Sequence, residues 1–362
     1  MPPRVLIFTA GVGEGHDLPA RVLADGLRRE DPRVDTSIVD ALPVMGPLLE
    51  GVAEDAMRTT FGVGRMKWAF DLQYLLFARL PTRRVGQALL HRVAGPRVAR
   101  FVAAQAPAVV VSTYPVITDV LGDLRARRLL GVPAVSAVTD LASLWYWAHP
   151  GIDVHLVTHP ESLAEVRRIA GDGAAYAVNG LTDPRFLAPP SRDDARAAVS
   201  LSGDGAVVAV SGGGWAVGDL AGAVCVARTL PATVLVLCGR NERARAVLHN
   251  TFANDPAVRV LGFVDDMPTL LAATDALVHS TAGLTVLEAI MVGCRPISYG
   301  WGIAHIRGNN RAFARFGIAE GRDDGGRAAG LRSSAQWRRR MCRVTRTSLP
   351  AAAELVLGVA RA

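Results

Sequence analysis

Residues 4–30 read RVLIFTAGVGEGHDLPARVLADGLRRE. Val5 to Thr9 is an apolar run of strand length, Gly11, Gly13 and Gly15 follow at alternate positions, and apolar residues then recur at helical spacing. A strand, a glycine turn and a helix in that order open a βαβ unit, and such units build parallel sheets covered by helices. The dinucleotide fingerprint needs its third glycine three positions after the second; here it comes after two, so that motif is excluded. Two readings of the turn stay open. Glycines after a strand let a backbone approach a ligand and leave helix amides pointing at it, or they are a plain βα turn. His16 stands at the start of the helix in either case.

The rhythm continues along the chain. Strands are expected at Val5–Thr9, Thr36–Val39, Val109–Ser112 and Ala134–Val138. It pauses at VNGLTDPRFLAPPSRDD (178–194), where Pro184, Pro189 and Pro190 mark a turn-rich connection. It restarts with strands at Val207–Val210, Val234–Leu237, Val258–Leu261, Ala276–Val278 and Pro296–Ser298. The expected fold is α/β, with two Rossmann-like domains facing across a cleft. Their expected extents are 1–180 and 196–340, joined by a linker at 181–195, with a terminal helix at 341–362 returning to the first domain. Open sheets of this kind bind ligands at the carboxyl ends of their strands, so the loops there are where chemistry belongs.

Composition sets the outer limits. A chain of 362 residues, 50% hydrophobic, can bury sizeable cores. Cys225, Cys238, Cys294 and Cys342 show no C-x-x-C spacing, which argues against a zinc site or disulfide framework and fits buried thiols in a reducing compartment. Neither a secretory leader nor a run of eighteen apolar residues is present, so the expected location is cytoplasmic, peripheral to the membrane. The net charge of +7 is concentrated in residues 57–100, where nine basic residues face Asp71 alone.

The second half carries the densest chemistry. After the strand ending at Val278, small polar residues lead to Gly283, which opens a helix whose amides could hold a diphosphate without a metal. Glu288 lies about one and a half turns further on, placed for a ribose diol. The alternative for Glu288 is a solvated helix residue, but its neighbours Val286, Leu287, Ala289 and Ile290 are apolar, and a carboxylate in such company needs a partner.

The pattern from Gly262 to Met267, with Asp275 and Val278 and then AGLTVLEA, resembles the donor domain of family 28 glycosyltransferases of GT-B fold, the closest local pattern being the N-acetylglucosaminyltransferase that makes lipid II. The resemblance implies that Phe263 and Val264 flank and hydrogen-bond the uracil, that Met267 belongs to the donor site, that Gly283, Leu284 and Thr285 meet the diphosphate, and that Glu288 holds the ribose. AHIRGNN resembles the sugar-reading segment, with His305, Asn309 and Asn310 at its histidine and paired amide positions; asparagine is one methylene shorter than the usual glutamine. VSGGGWAVGD resembles the glycine loop facing the donor phosphates, at Ser211, Gly213 and Gly214.

The first half resembles a different branch, the diacylglycerol glycosyltransferases typified by monogalactosyldiacylglycerol synthase. GEGHDLPARVLADGL resembles that branch's glycine-histidine loop, with Gly13, Gly15 and His16, although Asp17 stands where a basic or small polar residue is usual. Thr139-Asp140, Trp147 to Gly151 and Val157 to Glu161 match further landmarks. What the resemblance implies is a hexosyltransferase using a UDP-sugar as co-substrate, with no cofactor or metal, and a lipid acceptor such as diacylglycerol. Asp140 sits just past a strand's carboxyl end, where a base meets an acceptor hydroxyl, and His16 is a second candidate base. The residues alone do not divide the proton transfer between them.

The basic stretch interleaves Trp68, Phe70, Tyr74, Leu75, Leu76 and Phe77 with Arg79, Arg83 and Arg84. That suits a segment resting apolar side chains in lipid and cations on anionic headgroups at the inner face of the cell membrane; the same apolar residues could instead be core with a solvated basic rim. No recognition motif for nucleic acid accompanies the charge. Outside this reading stand a polyprenol-linked or natural-product acceptor, a UDP-sugar epimerase, which has no need of the 68–77 segment, and a non-catalytic GT-B protein, motivated by Asp17, Asn309 and Asn310.

Overall fold

The computed structural model describes residues 2–11, 14–47, 49–51, 82–171, 173–201, 205–280, 283–299, 304–318 and 348–362. The expectations at Gly13, Trp68 and Phe70 lie outside the described residues, as does the side chain of His305. The chain divides into two compact units, one formed by Met1–Asp183 with Thr347–Ala362, the other by Pro184–Arg346.

In the first unit six parallel strands run in the order β2-β1-β3-β4-β5-β6. They are β1 (Arg4–Thr9), β2 (Asp35–Asp40), β3 (Val109–Ser112), β4 (Ala134–Val138), β5 (Val154–Val157) and β6 (Ala174–Ala177). The central strands are apolar at nearly every position because helices cover both faces of the sheet. Around them lie α1 (Glu14–Glu30), α2 (Ala41–Met45), α3 (Thr82–Gln105), α4 (Pro115–Ala126), α5 (Leu144–Trp147) and α6 (Leu163–Ala170). Val5 pairs with Val109 and Val110 with Ala134, so the loops after β1, β3 and β4 emerge side by side at one edge.

Strands β5 and β6 escape the sequence reading because His155 interrupts one and small alanines dominate the other. His155 is tolerated inside because both ring nitrogens are used: Nε2 accepts the His149 N–H at 3.2 Å, and Nδ1 faces the Ala174 carbonyl at 3.3 Å. Burial pushes this imidazole down to about 4 from an ordinary 6.5. The unfolded chain therefore binds the proton first, and stability contributed by neutral His155 is lost as pH falls from 6.5 towards 4. We expect a loss of roughly 3 kcal/mol across that window in urea unfolding, and a flatter profile in His155→Gln.

The chain's last helix (Ala352–Arg361) packs on α1. Val356 and Leu357 are buried in the same cluster as Leu23 and Leu27. Asn179 anchors its entry: its side-chain amide donates to Leu349 O at 2.7 Å, and its carbonyl accepts the Ala352 N–H at 3.0 Å. A side chain at Gly26 would begin 3.3 Å from the Ala353 methyl, so glycine there sets how closely the two helices approach.

The second unit holds a five-stranded parallel sheet in the order β11-β10-β7-β8-β9. Its strands are β7 (Ala206–Ser211), β8 (Ala232–Leu237), β9 (Val258–Leu261), β10 (Ala276–His279) and β11 (Arg295–Ser298). Its helices are α7 (Arg192–Ala198), α8 (Leu220–Ala227), α9 (Glu242–Thr251), α10 (Met267–Ala272), α11 (Leu284–Met291) and α12 (Ala304–Arg315). Part of the stretch read as a linker is built into this unit: Phe186 and Ala195 are buried in its core. Asp275 fixes the entry to β10, accepting from Arg192 at 2.8 Å, from Arg196 at 2.9 Å and from the Val207 amide of β7 at 2.9 Å. Cys238 and Cys294 are buried, but Cys225 lies on the exposed side of α8, where a helix that covers only one sheet face must leave residues in water.

Candidate active site

At the carboxyl edge of the first sheet, small hydroxyl residues close β1, β3, β4 and β5: Thr9, Thr113, Thr139 and Thr158 are all buried. Thr113 and Thr158 donate to the backbone carbonyls of Phe8 and Val138, and Thr9 and Thr113 fix α1. Thr9 Oγ1 donates to Asp17 at 2.7 Å, and Thr113 Oγ1 donates to the His16 carbonyl at 2.9 Å. His16 lies in the first turn of α1 rather than before it. Pro19 lacks the N–H that the Gly15 carbonyl would otherwise accept, which leaves this turn outside the regular helical ladder.

His16 Nδ1 stands 2.9 Å from the Thr113 carbonyl. A carbonyl only accepts, so Nδ1 carries the proton, and the lone pair of the neutral ring is on Nε2. The ring is walled by Tyr114 edge-on at 5.1 Å and by Trp147 at 5.9 Å between centroids. Burial, with the Asp40 charge adding to it, pushes the Tyr114 hydroxyl up to about 12, and burial likewise raises Asp17. Asp140 follows β4, with β3 between it and β1. The two candidate bases therefore stand at one sheet edge, Asp140 on the loop after β4 and His16 in the first turn of α1.

In the second unit the loop after β7 is held open by backbone geometry. Ser211 Oγ accepts the Gly213 amide at 3.1 Å, Gly213 has φ +70° and Gly218 φ +107°. A side chain on Gly212 would meet the Val217 backbone at 2.5 Å, and one on Gly218 would meet Ser280. Gly283 caps α11 in extended conformation, with Leu284 buried and Thr285 half-buried in the first turn. Glu288 is buried, at 6% exposure, which removes the solvated-surface alternative. Asn309 and Asn310 are buried on α12, and the Asn310 Oδ1 acceptor has no hydrogen-bond partner. Val264 and Met267 pack against the core, whereas Phe263 presents its ring outward, 44% exposed.

Residues 63–181 match the family described as monogalactosyldiacylglycerol (MGDG) synthase. The processive diacylglycerol beta-glucosyltransferase of Bacillus pumilus is 23% identical over 301 residues, covering 82% of this chain and 77% of the relative. The fold matches MurG of Acinetobacter baumannii with a TM-score of 0.59 at 18% identity, over 99% of both chains. It also matches the glycosyltransferase SsfS6 of Streptomyces sp. SF2575, complexed with thymidine diphosphate, at 0.61 and 16% identity, over 99% of this chain and 100% of that one. The fold is thus that of the GT-B glycosyltransferases, and the family likeness lies over residues 63–181.

Several residues stand differently from their sequence reading. Trp147 is not a surface anchor: it is almost wholly buried and serves as a wall for His16, because its neighbours Leu144, Val157 and Val166 form a core around it. Arg83 lies over the Trp145 ring at 4.5 Å, so of the two arginines named for membrane contact it is Arg84 that points to water. Gly15 has open space at its missing side chain, so it clears no room. Glu14 pairs with Arg21 at 2.6 Å along α1. The sequence reading misses Thr113 and Tyr114, although STYP after an apolar run is a visible strand-to-helix turn. Among the described residues no helix is long and apolar enough to cross a membrane, and no group of acidic, cysteine or histidine side chains could hold a metal ion.

Proposed function

We propose that this enzyme transfers a hexose from a UDP-sugar to diacylglycerol, with inversion and without a metal. The catalytic part is carried by the tautomer of His16: with Nδ1–H donated to Thr113 O, the neutral ring offers Nε2 as the atom that takes a proton from an acceptor hydroxyl. In this reaction the deprotonating hydroxyl attacks the anomeric carbon, the bond to the diphosphate breaks, and UDP departs with the electron pair. Asp140 shares the sheet edge and either takes the proton or steadies the cation that forms on His16. Leaving-group charge is met by the amides that open α11 and by the loop at Ser211, Gly213 and Gly214. Glu288 and Phe263 hold the nucleoside, and the unpartnered Asn310 Oδ1 accepts from a hydroxyl of the donor sugar.

A lipid acceptor is supported by the family matched over 63–181 and by the names of the diacylglycerol-acting relatives. An α-linked UDP-sugar should give a β-glycoside by proton NMR, and transfer should persist in excess EDTA. An α-product, or loss of activity restored by a divalent cation, contradicts this mechanism.

Membrane contact is supported by α3, which contains no acidic residue. Its outer face exposes Val85 at 69% and Leu89 at 62%, flanked by the exposed Arg84 and Arg92. The inner face is pinned to α4: Gln87 donates to Asp119 at 2.8 Å, and His91 lies between Asp119 at 2.8 Å and Asp123 at 3.2 Å. Each arginine near an anionic bilayer contributes about 1 kcal/mol. Arg84→Glu with Arg92→Glu should therefore reduce sedimentation with anionic vesicles by about tenfold or more, and salt should do the same to the wild type. Equal sedimentation with neutral vesicles would count against the electrostatic part.

A further inference from the structure

Three turns at the carboxyl edge of the second sheet are stitched to one another, and Arg240 is the stitch. The turn after β8 places Gly239 at φ +55°, where an added side chain would collide with the Gly214 carbonyl. That same carbonyl accepts the Arg240 amide at 2.8 Å, and Asn241 Nδ2 donates to the Trp215 carbonyl at 3.1 Å. The loop after β7 is thus held against the turn after β8 by backbone contacts that tolerate no bulk. The Arg240 side chain reaches the turn after β9, its guanidinium carbon 3.9 Å from the Phe263 ring centroid.

We propose that Arg240 is the cation that binds the donor's diphosphate, and that Phe263 is the rest that fixes its guanidinium for that task. The inference deepens the donor reading above and rests on it. In the turns at 211–219, 238–241 and 262–266 Arg240 is the one cationic residue, in the company of Asp219, Asp265 and Asp266, of which Asp219 and Asp266 cap α8 and α10. A guanidinium stacked by its face hydrogen-bonds through its edge, so the contact with Phe263 and bonds to phosphate oxygens do not compete. Its backbone tie to Gly214 anchors the residue that carries the charge directly beside the glycine loop. A fixed cation there adds a full positive charge to the partial charges that the amides of α11 and the glycine loop offer the departing diphosphate.

Titration calorimetry with UDP and with uridine separates this role from a structural one. Arg240→Gln should weaken UDP about ten- to hundredfold and leave uridine within about twofold, and Arg240→Lys should recover part of the UDP affinity. An equal loss for both ligands would mean that Arg240 only shapes the nucleoside platform, and no loss for either would remove it from the site; both outcomes overturn the proposal. Wild-type protein that binds neither ligand overturns the donor reading and this assignment together. A wild type that binds UDP, with the UDP-to-uridine ratio unchanged in Arg240→Gln, overturns the assignment alone.

Discussion

Asp140→Asn is expected to lower glycosyl transfer by about a hundred- to ten-thousandfold while leaving UDP affinity within about twofold. The residue is assigned to the acceptor hydroxyl, whereas the groups assigned to the nucleotide all belong to the second unit, so UDP keeps every assigned contact in the variant. His16→Ala should behave in the same way. Its ring is fixed by the Thr113 carbonyl and walled by Tyr114 and Trp147, contacts that hold the atom meant to receive the proton. If the two residues act on one proton, the double variant should be little worse than the poorer single one, because groups that serve one step are not additive. Steady-state transfer assays paired with UDP calorimetry check all three; wild-type rates in both single variants would remove the pair from the mechanism.

The second large effect is on stability. Asp275→Ala should cost about 3–5 kcal/mol, read as a fall in the midpoint of denaturant unfolding, because it strands the buried Arg196 and the Val207 amide without this acceptor. Asp275 lies at the start of β10 and also holds Arg192 at the start of α7. Its loss therefore reaches the whole register of β7 and β10, the two strands from which the glycine loop and the Gly283 turn depart. UDP binding should fall with temperature in step with unfolding, whereas a variant of unchanged midpoint would show that the carboxylate is replaceable.

Val109–Ser112 and Ala134–Val138 appear at the expected bounds because helices cover them fully, and the partly exposed β9 is also legible at Val258–Leu261. Strand β5 is illegible because its central His155 looks polar and becomes acceptable only through His149 and Ala174, neither adjacent to it in sequence. Glu288 could be read from its apolar neighbours, which required burial. Trp147 could not be placed by the same logic, since an aromatic beside histidine and proline suits a binding lip as well as a core, and only the packing of Leu144 and Val166 decides. Arg83 and Arg84 are adjacent and alike in sequence; the helix turns one onto Trp145 and the other to water. Arg240 left no local trace, because its partners Gly214 and Phe263 belong to other turns.

The most direct test is mass spectrometry of the lipid phase after incubating the full chain with UDP-hexoses and diacylglycerol vesicles. The proposed activity predicts a hexosyl-diacylglycerol ion that requires both substrates and disappears in Asp140→Asn. Unmodified diacylglycerol, with the sugar recovered as a water-soluble glycoside or as an epimerised UDP-sugar, would contradict it.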